Sequence, residues 1–341
     1  MPTVKVNSST GKTEFRYTIS TPKSASAKSI EKGLPTVLFL HGVYIPQEIF
    51  VQQFGDPKLR QFNLVAVDHR AHGETTGDKP PAHYGQVEAA EDFAKFIDAL
   101  KLPPCHVVGL SLGTIIGLQL AVSYPEKVKS LFLMSPLGTE EPEDVALGRR
   151  EIYEVWCEGL SGPTPDDSVL LEAVYGALQL GFSNKSSTLI NALMNRTYPI
   201  AKNIWGPKGL DQYRVMTVDI ITNRKSQTKE ALAKLAKIPV TLVHGLGDVA
   251  YPVTYSEEFM KQLQAAGVKT SLVKIPDAPQ FVNIDSSTDF PDVNSFLCNF
   301  LLEHSEQKPA PIPVQVSNPF EFILKMNGWN PAEDAEDETT I

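Results

Sequence analysis

Cysteine is scarce in this chain. Cys105, Cys157 and Cys298 are the only three, odd in number and widely spaced. That pattern excludes a disulfide framework and shows no metal spacing. The three read as reduced, mostly buried residues. Long hydrophobic runs are missing as well, and no stretch reaches the roughly 18 apolar residues of a membrane span. At the N-terminus, Met-Pro-Thr-Val-Lys-Val-Asn has no basic region followed by an apolar one, so no signal peptide is expected. Positive charge is in deficit, with 31 Lys and Arg against 40 Asp and Glu, a net charge of −9. Nucleic-acid binding relies on Lys and Arg to neutralise phosphates, so it is not expected. No internal repeat is visible. The expectation is a cytoplasmic protein with a small-molecule partner, no membrane span and a homodimer left open.

Hydrophobic residues make up 42% of 341, enough to bury a full core. Residues 4–21 alternate as one or two strands. Thr36 to Leu40 and Asn63 to Val67 are short apolar runs that read as buried strands. Residues 86–100 place Ala90, Phe93, Ala94, Ile97 and Leu100 at helical spacing. Strand 106–110, helix 112–123 and strand 129–134 follow. Alternation at this pace predicts right-handed βαβ units around a parallel sheet. It stops from about 138 to 236, where the pattern is helical and carries Trp156, Tyr175, Phe182, Trp205 and Tyr213. This stretch reads as an inserted cap, with Trp156 and Trp205 as pocket candidates. Strand–helix order then returns. The expected division is a core of 1–137 and 237–305, a helical cap of 138–236, and a tail of 306–341. In the tail, Lys308-Pro-Ala-Pro-Ile-Pro is a stiff linker. The patch after Asn318 is expected to dock on its own domain, and Glu333 to Glu338 to be disordered.

The most informative stretch is Gly109-Leu-Ser111-Leu-Gly113, after an apolar strand and before a helical pattern. A serine there sits on a sharp strand-to-helix turn, sterically possible only when the residues at −2 and +2 are small. Its hydroxyl then stands at the strand end, where open α/β sheets form their sites. His41-Gly42 and Asp68 to Gly73 fall at strand ends too. The motif alone is common by chance. The coincidence of several such loops carries more weight.

These residues, with Asp248 after a late strand and Pro276-Asp-Ala-Pro-Gln-Phe281, resemble the α/β-hydrolase superfamily over about residues 30–303. The wording from Asp68 to Gly77 and the long cap are similar to a fungal branch of it. The resemblance implies an α/β-hydrolase fold, a mostly parallel eight-stranded sheet flanked by helices, and no metal or organic cofactor. It implies Ser111 as nucleophile and the backbone N–H groups of Leu112 and Val43 as oxyanion donors. Gly109, Gly113, His41 and Gly42 would shape the elbow and the loop. Asp248 would be the acid that orients a histidine. The resemblance also implies a histidine where this chain has Gln280. A carboxamide gives and accepts hydrogen bonds but takes no proton near neutral pH. It could bind Asp248 and hold the geometry. His41, His69, His72, His83, His106, His244 and His304 are poor replacements by position. The reading is a serine hydrolase of an ester, lactone or similar acyl bond, slow or inactive because of Gln280. Two alternatives stay open, a ligand-binding protein and a lyase or cyclase on the same fold.

Overall fold

The computed structural model describes residues 2–284 and 292–337. Its frame is one sheet. Strands β1 (Thr3–Ser8), β2 (Gly11–Ser20), β3 (Thr36–Leu40) and β4 (Asn63–Val67) precede a two-residue strand, β5 (Thr76–Gly77). Then come β6 (Cys105–Leu110), β7 (Val128–Met134), β8 (Val240–Gly245) and β9 (Thr270–Ile275). The spatial order is β1-β2-β4-β3-β6-β7-β8-β9. The sequence reading expected eight strands, and the ninth is β5, antiparallel to β2 through only Thr13–Gly77 and Glu14–Thr76. Two residues, Thr76 and Gly77, are too few to show an alternation. The first two strands are antiparallel, and all pairings from β4 to β9 are parallel.

The order β4-β3-β6 places successive connections on opposite sides of β3. That reversal opens a crevice beyond the carboxyl ends of β3 and β6, the usual position for a ligand. The strands there are buried at every position, as a sheet covered on both faces requires.

The covering helices follow from their patterns. Helix α1 (Gln86–Ala99) is amphipathic, with Ala90, Phe93, Ala94 and Ile97 on its buried face. Helix α2 (Leu112–Ser123) is apolar almost all round and buried along its length up to Ser123. Three long helices occupy the stretch between β7 and β8: α3 (Glu143–Gly159), α4 (Asp167–Phe182) and α5 (Thr188–Ile204). They share a small core of their own, with Trp156, Leu170, Trp205 and Tyr213. Helices α6 (Val253–Ala265) and α7 (Val293–His304) complete the layers. No helix among the described residues is long and apolar enough to cross a membrane.

The tail behaves differently from its composition. Residues 308–318 run along the core, with the Ala310 amide donating to Gln61 O and Arg60 Nη1 to Ser317 O. Helix α8 (Glu321–Met326) follows Phe320, whose ring is fully buried 5.0 Å from Phe54. The patch therefore docks on its own chain, as expected. The acidic stretch was expected to be disordered, yet Pro331–Asp337 forms a helix, α9. The Asp334 carboxylate accepts from the Thr188 and Leu189 amides at the start of α5, so the acidic segment caps another helix. Glu338, the end of that expected segment, lies outside the described residues.

Candidate active site

Ser111 occupies the turn between β6 and α2 with φ 49° and ψ −110°, a strained conformation for a residue with a Cβ. Its neighbours explain the glycines. A Cβ on Gly109 would lie 2.5 Å from Gly113 O, and one on Gly113 would lie 2.0 Å from Leu40 O. Only hydrogen fits at either position. The Ser111 amide donates to Met134 O, and Thr114 Oγ1 donates to Ser111 O, so the turn is fixed from both sides. The serine is 1% exposed.

Gly42 faces Ser111 across the crevice. A Cβ on Gly42 would stand 3.6 Å from Ser111 Cβ and 2.8 Å from the Phe281 ring. Three buried histidines hold this loop. His41 Nε2 accepts from the His69 amide at 2.8 Å, and His41 Nδ1 donates to Gly42 O. His69 Nε2 donates to His41 O. His72 Nδ1 donates to Arg70 O, which leaves Nε2 to accept from the Tyr44 amide at 3.3 Å. Burial pushes the His72 pKa down to about 4, so the ring stays neutral and remains an acceptor. The Val43 and Leu112 amides make no hydrogen bond among the described residues. Both therefore remain available as donors in the crevice.

Asp68 and Arg70 act as braces. The Asp68 carboxylate accepts from the Gln47 and Glu74 amides and from Arg16 Nη1. Arg70 pairs with Asp92 at 3.0 Å. Neither lines the cavity beside the site.

Gln280 is brought to the serine. Its Nε2 donates to Ser111 Oγ at 3.5 Å, the outer limit of a hydrogen bond, and the residue is 3% exposed. Gln280 O accepts a short hydrogen bond from Ser135 Oγ. Asp248 lies on the loop after β8, which packs on the loop carrying Gln280 through Gly247 N donating to Ala278 O at 2.9 Å. Asp248 Oδ1 accepts from the Ala250 and Tyr251 amides at 2.8 and 3.0 Å. Asp248 Oδ2 is buried without a partner. The expected contact between Gln280 and Asp248 is not made, because the amide of Gln280 turns to Ser111 and its backbone is held by Ser135. Burial raises the Asp248 pKa to about 7, against the pull of the two amides and Arg149.

An apolar cavity of about 70 Å³ adjoins the crevice. Val43, Phe281, Trp156, Trp205 and residues of α4 and α5 line it. Phe281 lines it and Ser111 does not. The Phe281 amide donates to Gly181 O at 2.7 Å, so the end of α4 rests on the loop of Gln280.

Sequence reasoning missed the knot that ties these helices to the core. Glu141 pairs with Arg149 at 2.8 Å and with Arg224, all three buried. Tyr251 Oη donates to Glu141, and Tyr255 Oη to Thr139 O. Burial alone would raise the Glu141 pKa, but Arg149 and Arg224 hold it below the usual range. The bonded pairs are up to 116 positions apart, from Thr139 to Tyr255, so no local pattern announces them. Among the described residues no cluster of three or more His, Cys, Asp or Glu could hold a metal.

Residues 35–287 match the family model described as the alpha/beta hydrolase fold. A thermophilic esterase from Thermogutta terrifontis superposes with a TM-score of 0.67 at 16% identity, covering 89% of this chain and 100% of that one. The enol-lactonase from Burkholderia xenovorans LB400 gives 0.62 at 20% identity, over 88% and 100%. In sequence, the dihydrolipoyllysine-residue acetyltransferase component of the acetoin cleaving system of Cupriavidus necator is 34% identical over 106 residues. That match spans 31% of this chain and only 28% of the relative.

Proposed function

We propose that this chain, which belongs to the α/β-hydrolase fold family, carries a serine site for hydrolysis of an ester, lactone or similar acyl bond, and that Gln280 holds it slow or inactive. Ser111 Oγ would attack the acyl carbonyl, and the resulting oxyanion would take hydrogen bonds from the Val43 and Leu112 amides. Collapse would expel the leaving group and form an acyl-serine, which water would release. Both additions require a base to remove a proton and an acid to return it. Gln280 can do neither. Its N–H donates to Ser111 Oγ, so it engages the lone pair that must attack.

The observation that carries the reading is Asp248 Oδ2, buried and unpartnered on a loop packed against that of Gln280. An imidazole N–H at position 280 would be its natural donor. The two similar structures, an esterase and an enol-lactonase, agree with acyl chemistry. A second reading, a binding protein for a carbonyl ligand, draws support from the Gln280 donor itself. The substrate is a small molecule, with the helices of 138–236 as cap and the protein cytoplasmic.

A fluorophosphonate, which needs an activated serine, separates the two. Gln280→His should be labelled at Ser111 while the unaltered chain is not. Absence of labelling in both forms would favour the binding reading. Labelling of the unaltered chain would show that another base serves Ser111.

A further inference from the structure

The short stretch after β7 reaches both halves of the site. Met134 O accepts from the Ser111 amide at 3.0 Å. The Leu137 amide donates to Thr114 Oγ1 at 3.0 Å, and that hydroxyl donates to Ser111 O. Both backbone groups of the serine are thus tied to residues 134–137. Between these ties stands Ser135, 2% exposed. Its amide donates to Val243 O of β8 at 2.7 Å, and its hydroxyl donates to Gln280 O. One dipeptide, Met134-Ser135, therefore holds Ser111 on one side and position 280 on the other. These two positions are 169 residues apart in the chain.

Ser135 has φ 53°. A residue with a Cβ rarely occupies that left-handed region, and such strain persists only where the surroundings over-determine it. Here β8 fixes the amide and the loop of Gln280 fixes the hydroxyl. That loop has two further holds. The Gly247 amide donates to Ala278 O at 2.9 Å, and the Phe281 amide donates to Gly181 O at 2.7 Å. Both of these are backbone to backbone. Of the three holds, only that of Ser135 comes from a side chain, and it acts on residue 280 itself. Gln280 Nε2 meets Ser111 Oγ at 3.5 Å, the outer limit of a hydrogen bond. At that limit a small shift of the residue 280 backbone breaks the contact.

Resting on the acyl-hydrolase reading, we infer that Ser135 is a positioning residue of the site. By holding the carbonyl of residue 280, its hydroxyl sets the distance between Ser111 and the side chain at 280. It acts through the backbone of 280 and takes no proton in the reaction.

The test has two arms. The first needs no turnover and compares amide exchange in the unaltered chain and in Ser135→Gly. The Phe281 amide should exchange at least ~10-fold faster in the variant, while the Val108 amide of β6 is unchanged. The second measures kcat and KM for p-nitrophenyl acetate with Gln280→His, alone and combined with Ser135→Ala or Ser135→Gly. Each combination should lower kcat ~10²-fold with KM within ~3-fold, as a misplaced catalytic group does. Glycine takes φ 53° freely and alanine does not, so Ser135→Gly should unfold at higher urea than Ser135→Ala. Equal losses of kcat despite that difference would mark the lost hydroxyl rather than lost stability. Ser135→Gly carries both arms if Ser135→Ala does not fold. Unchanged exchange at Phe281, an unchanged kcat, or a kcat that follows the urea midpoint would overturn the inference. If Gln280→His does not hydrolyse the ester, the acyl-hydrolase reading falls, and the exchange arm still decides whether Ser135 holds position 280.

Discussion

In the proposed reading, the difference between two side chains at position 280 sets what Ser111 can do. An imidazole would accept the serine proton and donate to Asp248 Oδ2. The Gln280 amide donates to the serine and leaves Asp248 Oδ2 alone. The consequence for Asp248 can be read in stability. Burial raises its pKa from 3.8 to about 7. An acid raised in the folded state contributes stability below its unfolded pKa, and loses that contribution as pH rises through the folded value. The chain should therefore lose up to ~1.4 kcal/mol per pH unit across that window. Asp248→Asn should lack this loss. Urea midpoints measured at pH 5 and pH 8 should fall more steeply for the unaltered chain than for Asp248→Asn. Parallel changes would mean that Asp248 has its ordinary pKa.

Among the elements, α5 shows how distant segments finish what local sequence starts. Ser187 Oγ accepts from the Ile190 amide, which a helix-start reading would find. The Thr188 and Leu189 amides go to Asp334, 146 and 145 positions away. Thr188 Oγ1 also donates to Asn330 O and accepts from the Asn330 amide. The same helix carries Thr197 and other residues lining the cavity. Asp334→Ala should cost ~1 kcal/mol, the usual value of a lost helix cap. Amide exchange at residues 188–190 should accelerate, while β6 keeps its protection. Unchanged exchange at 188–190 would show that α9 does not support α5. Composition alone could not reveal this contact, because an acidic run is read as solvated unless a partner helix end is known.

For the whole molecule, legibility in the sequence tracked the distance between interacting residues. The elbow was visible because its three constraints, Gly109, Ser111 and Gly113, lie within five positions. The parallel strands were visible because burial on both faces leaves continuous apolar runs. The two-residue β5, the Glu141–Arg149–Arg224 knot and the Asp334 cap were not, since each depends on residues brought together only by folding. The site lies between these extremes. Ser111, Asp248 and Gln280 could be named as candidates from the elbow motif and the family resemblance, while the side chain of Gln280 lying on Ser111 rather than Asp248 could be seen only in the fold.

The central claim is that a hydrolase site stands complete except for its base. The most direct measurement is kcat/KM for p-nitrophenyl acetate with the unaltered chain, Gln280→His, and Gln280→His combined with Ser111→Ala. Removing the base of a serine triad costs up to ~10⁶-fold in a well-studied protease, so Gln280→His should gain at least ~10³-fold. The gain should vanish with Ser111→Ala. Equal rates for the unaltered chain and Gln280→His, or a gain that survives Ser111→Ala, would contradict the account.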